Sequence, residues 1–127
     1  MHSQYGGFFS VKIRGTLYRI LYQKIILFEA RGKKIVARTA SQEYEFYDSI
    51  EEISRSLPDF FVRVHRGICI NFQMVEAVSL SDKHITMTDG AVIPFSRTYR
   101  ADIVRRVNRQ ESSIVERVNK QESSKEV

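Results

Sequence analysis

Apolar and polar positions alternate along most of this chain, and the alternation resets at short intervals at a glycine, a proline or a polar pair. That period-two pattern predicts many short half-buried strands. Alternation runs from Phe9 to Arg14, breaks at Gly15 and resumes over Thr16 to Ile20, which predicts a hairpin turning at Arg14-Gly15-Thr16. Lys24 to Glu29 is a dense β-branched run and reads as a buried strand. Arg31-Gly32-Lys33-Lys34 is a basic turn in which the glycine supplies freedom at positive φ. Ile35 to Thr39 and Glu43 to Tyr47 read as the next two strands.

The period changes at Asp48-Ser49. Ser49 followed by Glu52 has the spacing of a capping box. Ile50, Ile53 and Leu57 then recur at helical spacing, so a short helix is expected over roughly 49–57, ended by Pro58. Its charged residues Glu51, Glu52 and Arg55 read as a solvated face. The stretch Phe60 to Asn71, FFVRVHRGICIN, alternates through Val62-Arg63-Val64-His65 and predicts a half-buried strand. It breaks at His65-Arg66-Gly67, continues as Ile68-Cys69-Ile70 and closes on Asn71. Phe72 to Leu80 reads as a strand after a turn near Asn71-Phe72, and His84 to Thr88 alternates again. Asp89-Gly90 predicts a tight type I′ hairpin. Pro94 cannot donate to a ladder, so the strand over Ala91 to Phe95 ends there or lies at an edge. Ser96 is placed to cap a helix from about Arg97, with Ala101, Val104 and Val107 on one stripe. The tail repeats itself: RVNRQESS from Arg106 recurs as RVNKQESS from Arg117, at a period close to three helical turns but with few apolar residues. A frayed helix or a disordered tail is expected there.

These elements predict a mostly β fold, a compact multi-stranded β-sandwich-like domain with one short mid-chain helix and a helix near the end. The expected organisation is a short lead over 1–7, one domain over 8–107 and a polar repeat tail over 108–127. A chain of 127 residues suits one domain with its own core. No apolar run is long enough to span a bilayer, and the start, MHSQYGGFF, lacks the form of a signal peptide. The lone cysteine, Cys69, lies in an apolar run and reads as a small buried hydrophobe. A cytoplasmic location is expected.

Charge adds a direction. The formal net charge is +5. The positive excess belongs to residues 1–110, because the tail is slightly acidic. An anionic partner such as nucleic acid or a membrane surface fits that balance, although many soluble proteins carry a similar charge. Catalytic chemistry finds little support. The sequence has neither a P-loop nor a GxGxxG pattern, and one cysteine with three dispersed histidines offers no metal-ligand spacing. An enzyme, a metal, a cofactor and a small-molecule substrate are not expected.

The stretches IILFEA (25–30), EYEFYDSIEEISRSLPDFFVRVHRGICIN (43–71), VEAV (75–78) and DGAVIPFSRTYR (89–100) together resemble the LytTR DNA-binding domain of bacterial transcription regulators. The likeness runs in order over about residues 8–107. It departs at Gly67, where serine is common, and at Phe95, where valine is common. The resemblance implies a β core that presents loops to successive major grooves of double-stranded DNA. It makes Asn71 and Arg97 base-contact candidates, with Lys33 and Lys34 on a third loop. It makes Arg31, His65, Arg66, Ser96 and Arg100 candidates for phosphate contact or loop bracing. Arginine suits a guanine edge and asparagine an adenine edge. The bland alternatives are that Asn71 is a turn residue, His65 a packing residue, and Arg97 the ion-pair partner of a carboxylate such as Asp102. The implied partners are duplex DNA, a second copy on a repeated half-site, and a separate kinase, receiver or membrane protein that supplies control. The competing reading is a protein-interaction module that docks or masks another regulator. RNA binding would require exposed aromatic residues to stack on bases.

Overall fold

The computed structural model describes residues 7–109. The repeat in the tail lies outside the described residues, apart from its first four positions, 106–109. Ten strands and two helices follow in order. They are β1 (Phe8–Ile13), β2 (Thr16–Leu21), β3 (Ile25–Arg31), β4 (Lys34–Thr39), β5 (Glu43–Tyr47), α1 (Ile50–Ser54), β6 (Phe61–His65), β7 (Ile68–Asn71), β8 (Val75–Ser79), β9 (His84–Met87), β10 (Val92–Pro94) and α2 (residues 100–109). The expected mostly β class holds.

A five-stranded antiparallel sheet in the order β5-β4-β3-β7-β6 forms the centre. Strands β3, β7 and β6 are buried on both faces, so they need apolar residues at consecutive positions, whereas the edge strand β5 alternates and buries only Phe46. On one face Phe28, Ile35, Ala37, Phe61 and Cys69 pack against Phe9 and Ile20 of the β1–β2 hairpin and Ile50 and Ile53 of α1. On the other face Leu27, Val62, Val64 and Ile70 pack against Ile85, Met87 and Ile93 of a three-stranded sheet, β10-β9-β8, and against Ile103 of α2. A register shift between Ile25 and Leu27 sends Ile25 to the first face and both Ile26 and Leu27 to the second.

The turns explain the connections. Arg14 and Gly15 both lie at positive φ, 51° and 84°, as a two-residue type I′ hairpin requires. The stretch 60–71 is a hairpin, β6 paired with β7, and it is buried on both faces where alternation alone suggested one. Helix α1 is shorter than expected. Ser49 Oγ accepts from Glu52 N at 3.2 Å, but the Glu52 carboxylate turns to Arg55 at 3.0 Å, so only half of a capping box forms. Phe72–Met74 is a 3-10 turn ahead of β8 and not part of the strand. Asp89-Gly90 is not a two-residue type I′ loop. Only Gly90 has positive φ, and Gly90 N donates to Met87 O while Ala91 O accepts from Met87 N, which makes a longer turn with a bulge. Pro94 sits at the end of β10, an edge strand, as its missing donor demands.

Candidate nucleic-acid interface

Strand pairing gathers three segments at one end of the central sheet. The β3–β4 turn, Gly32-Lys33, lies beside the β6–β7 turn, Arg66-Gly67, because β3 pairs antiparallel with β7 and Ala30 N donates to Gly67 O at 2.8 Å. The third segment is a 3-10 turn, Arg97–Tyr99, that leads into α2. Ser96 N donates to Val64 O at 2.9 Å, which fixes this segment to the outer edge of β6. That bond also covers part of an otherwise open sheet edge.

The cations at this end differ in what they touch. Lys33, Arg66, Arg97 and Arg100 are exposed, and none forms an ion pair among the described residues. Lys33 and Arg66 line one surface depression of about 400 Å³ together with Arg63 and with two acidic residues, Asp48 and Glu51. Arg31 is engaged with carboxylates, at 3.2 Å from Glu43 and 3.5 Å from Glu29. The hydrogen bond to Glu43 is the main reason its pKa is raised above the usual arginine range. Lys34 is half-buried, with its ammonium 5.0 Å from the centre of the Tyr47 ring. His65 is exposed, and its Nδ1 accepts from Gly67 N at 3.3 Å, which braces the turn from inside. Arg97 does not pair with Asp102, whose carboxylate bonds Arg105 instead.

Asn71 requires a correction. It is the one buried polar residue among those described, at 0% exposure. It stands at the opposite end of β7 from the basic turn. Its Nδ2 donates to Ile25 O at 3.0 Å and Tyr22 O at 3.5 Å, and its Oδ1 accepts from Gln73 N at 2.9 Å. Asn71 therefore ties β7 to the start of β3 and caps the 3-10 turn that follows. In this fold it presents no group to a base. The asparagine is followed by a 3-10 turn, and an Asx side chain bonding backbone two residues on is the local signal of that role.

The helix expected from Arg97 begins as the 3-10 turn and becomes α-helical from residue 100. Ser96 stands at its N-cap position without a side-chain capping bond, so its contribution is the backbone link to β6. The buried helix residue is Ile103, with Tyr99 and Val107 packed around the same cluster, whereas Ala101 is exposed. The stripe is thus Tyr99, Ile103 and Val107, two positions out at its start and one in the middle.

Arg63 is the residue that sequence reasoning left unassigned. Its Nη2 donates to Arg66 O at 2.7 Å, and its guanidinium carbon lies 5.3 Å from the centre of the Tyr99 ring. It holds the β6–β7 turn and the α2 segment together. The available signal was an arginine inside an apolar alternation. A second depression of about 290 Å³, between β6 and α2, is lined by Arg63, Tyr99, Asp102, Arg105, Arg106 and Arg109. Arg106 is partly buried there, and burial is the main cause that holds its pKa below the usual arginine range, with Arg109 adding to it. Cys69 is inert by environment, since burial pushes its thiol up to about 12. Among the described residues no group of three or more His, Cys, Asp or Glu could hold a metal, and no helix is long and apolar enough to cross a membrane.

Comparison with known proteins agrees with this architecture. A curated relative, the sensory transduction protein LytT of Bacillus subtilis, is 33% identical over 70 residues. Those residues are 52% of this chain, and the match spans 29% of the relative's length. A solved LytTr DNA-binding domain from Bacillus cereus superposes with a TM-score of 0.68 at 22% identity, covering 77% of this chain and 94% of that one. The family model of the LytTr DNA-binding domain matches residues 15–108, which take in every strand from β2 onward and nearly all of the basic end described above. The chain belongs to the LytTR DNA-binding domain family.

Proposed function

We propose that this chain binds duplex DNA sequence-specifically, with the three converging segments at one end of the central sheet, and so regulates bacterial transcription. One observation carries the reading: segments distant in sequence bring Lys33, Arg66, Arg97 and Arg100 to one end without a carboxylate partner among the described residues. Exposed cations that form no direct ion pair with a carboxylate keep their charge available to a polyanion. Arg66 and Arg97 are the base-reading side chains in this account, since an exposed arginine bonds the two acceptors of guanine in the major groove. Lys33 and Arg100 take phosphates, and Lys34 supports its turn from the Tyr47 ring. His65, Ser96 and Arg31 hold their loops in place.

A single module of this size buries roughly 600–1,000 Å² on DNA, so two copies on repeated half-sites supply the affinity of a regulator. Signal input comes from a separate kinase, receiver or membrane partner, and the protein works in the cytoplasm. The chain spans under a third of the sensory transduction relative, so that larger protein's activity is not transferred with the match.

A binding titration against random duplexes at increasing salt tests the reading. Log affinity is expected to fall linearly with log salt, by about 0.9 per phosphate neutralised. Absence of any complex at low salt, together with co-purification of a protein partner, would instead favour an interaction module.

A further inference from the structure

We infer that Arg63 is a positioning residue for sequence readout, which fixes where Arg66 and Arg97 stand relative to each other. The inference rests on the base-reading role given to those two arginines under the proposed function. The β6–β7 ladder slips register between Arg63 and His65, so regular pairing breaks just before the turn that carries Arg66. The Arg63 side chain spans that break, and its Nη2 donates to Arg66 O at 2.7 Å. On its other side the guanidinium carbon lies 5.3 Å from the centre of the Tyr99 ring, in the 3-10 turn that begins at Arg97. Ser96 gives that turn no side-chain cap. Backbone bonds anchor it, from Ser96 N to Val64 O at 2.9 Å and from Phe95 N to Lys83 O at 3.2 Å. The contact between Arg63 and Tyr99 adds a side-chain link from the turn of Arg66 to the turn of Arg97.

Stability alone does not call for an arginine at this place. Arg63 is half-buried on an edge strand. Asp48, Glu51 and Asp102 line the two depressions that it borders, yet it forms no ion pair among the described residues. Its Nε is buried without a hydrogen-bond partner among those residues, which costs stability. An apolar side chain of similar volume would fill the space without that cost. The guanidinium supplies instead a planar group that bonds one loop and stacks against the other at the same time. Base reading needs such a brace. Bonds to a guanine edge form at about 2.7–3.2 Å, and a misplacement of about 0.5 Å loosens them. Because one side chain braces both loops, its loss displaces both readers together, although Arg63 itself touches neither base nor phosphate.

The test uses the full chain on its selected duplex, on that duplex changed at one read base pair or the other, and on a random duplex, over a salt series. Arg66→Ala and Arg97→Ala identify the two base pairs. Arg63→Met is expected to reduce preference at both of them, by about tenfold in total. The salt slope on the random duplex is expected to keep the parent's value, because no phosphate contact is lost. Arg63→Lys retains a donor and a cation over the ring and is expected to restore most of the preference. Tyr99→Leu breaks one arm of the brace and is expected to reduce preference only at the base pair of Arg97. A merely structural role would lower the urea midpoint and leave the preference of the folded protein unmoved. Unchanged preference in folded Arg63→Met overturns the inference, and so does unchanged preference in Tyr99→Leu should Arg63→Met fail to fold. A fall in salt slope of about 0.9 on every duplex also overturns it, since Arg63 would then be a phosphate contact. Those outcomes leave the reading by Arg66 and Arg97 intact. A parent that binds no duplex, or Arg66→Ala and Arg97→Ala variants that keep the parent's preference, overturns the proposed function and this inference with it.

Discussion

Replacing Asn71 with alanine removes three hydrogen bonds from the interior at once. The lost partners are Ile25 O at 3.0 Å, Gln73 N at 2.9 Å and, at the limit of bonding, Tyr22 O at 3.5 Å. Each buried group left without a partner costs about 1–3 kcal/mol. Water cannot easily replace the amide, because the side chain is fully enclosed. Two firm bonds and one marginal one sum to a loss of about 2–5 kcal/mol, a large share of the 5–15 kcal/mol typical of a domain. At about 4–8 °C per kcal/mol, the melting temperature falls by roughly 8–40 °C. Urea titration followed by circular dichroism is the assay, and the midpoint should drop with an unchanged m-value. Measured well below the lowered midpoint, the folded variant should bind the parent's DNA site within about twofold, because the deleted amide faces the protein interior. A variant of normal stability that loses base preference would refute this reasoning and return Asn71 to the DNA surface.

Other outcomes follow from the same structure. Gly67→Ala should raise stability by about 0.5 kcal/mol in a urea melt, since its φ is not in the left-handed region and a new Cβ meets only Ala30 Cβ at 3.4 Å. Gly32→Ala should lower stability by about 1 kcal/mol in the same melt, because the turn holds it at φ +64°. Alkaline stability should be constant below about pH 9, the unfolded thiol's range, and then fall as pH rises toward 12, because Cys69 and Tyr22 both titrate near 12 in the folded state. Cys69→Ala should delay the start of that loss toward pH 10, where the unfolded tyrosine begins to ionise, which pH-dependent denaturation curves would show. Arg31→Ala should change DNA affinity far less than Lys33→Ala in a titration, since Arg31 is held by Glu43 and Glu29 while Lys33 is exposed and forms no ion pair among the described residues.

Much of the fold was legible because strand alternation and turn chemistry are local. The β1–β2 turn, the β3–β4 turn and the edge proline each declare themselves within a few residues. What alternation could not show was how many faces a strand buries. The stretch 60–71 looked half-buried, yet Phe61 and Cys69 pack one way while Val62, Val64 and Ile70 pack the other. Asn71 was misjudged for a related reason. An asparagine at a strand end fits a surface turn or a buried cap equally well, and only its pairing with Ile25 O, distant in sequence, decides between them. Charge state was hidden in the same way. Arg31 and Lys33 look alike in sequence, but Glu43, distant in sequence, engages only the first. The groove between β6 and α2 depends on where a helix lands, and no local pattern encodes that.

Under the proposed function, Arg66 and Arg97 at the loop end read bases while Asn71 does not. Selection of bound duplexes from a random library, run in parallel with the parent, Arg66→Ala, Arg97→Ala and Asn71→Ala, tests it most directly. The parent should select a motif in repeated half-sites. Each arginine variant should lose preference at its own position, at a cost of about 1–3 kcal/mol. The Asn71 variant, kept below its melting temperature, should return the parent motif. An unchanged motif from both arginine variants, or a motif altered only by Asn71→Ala, would show that the two arginines do not read bases.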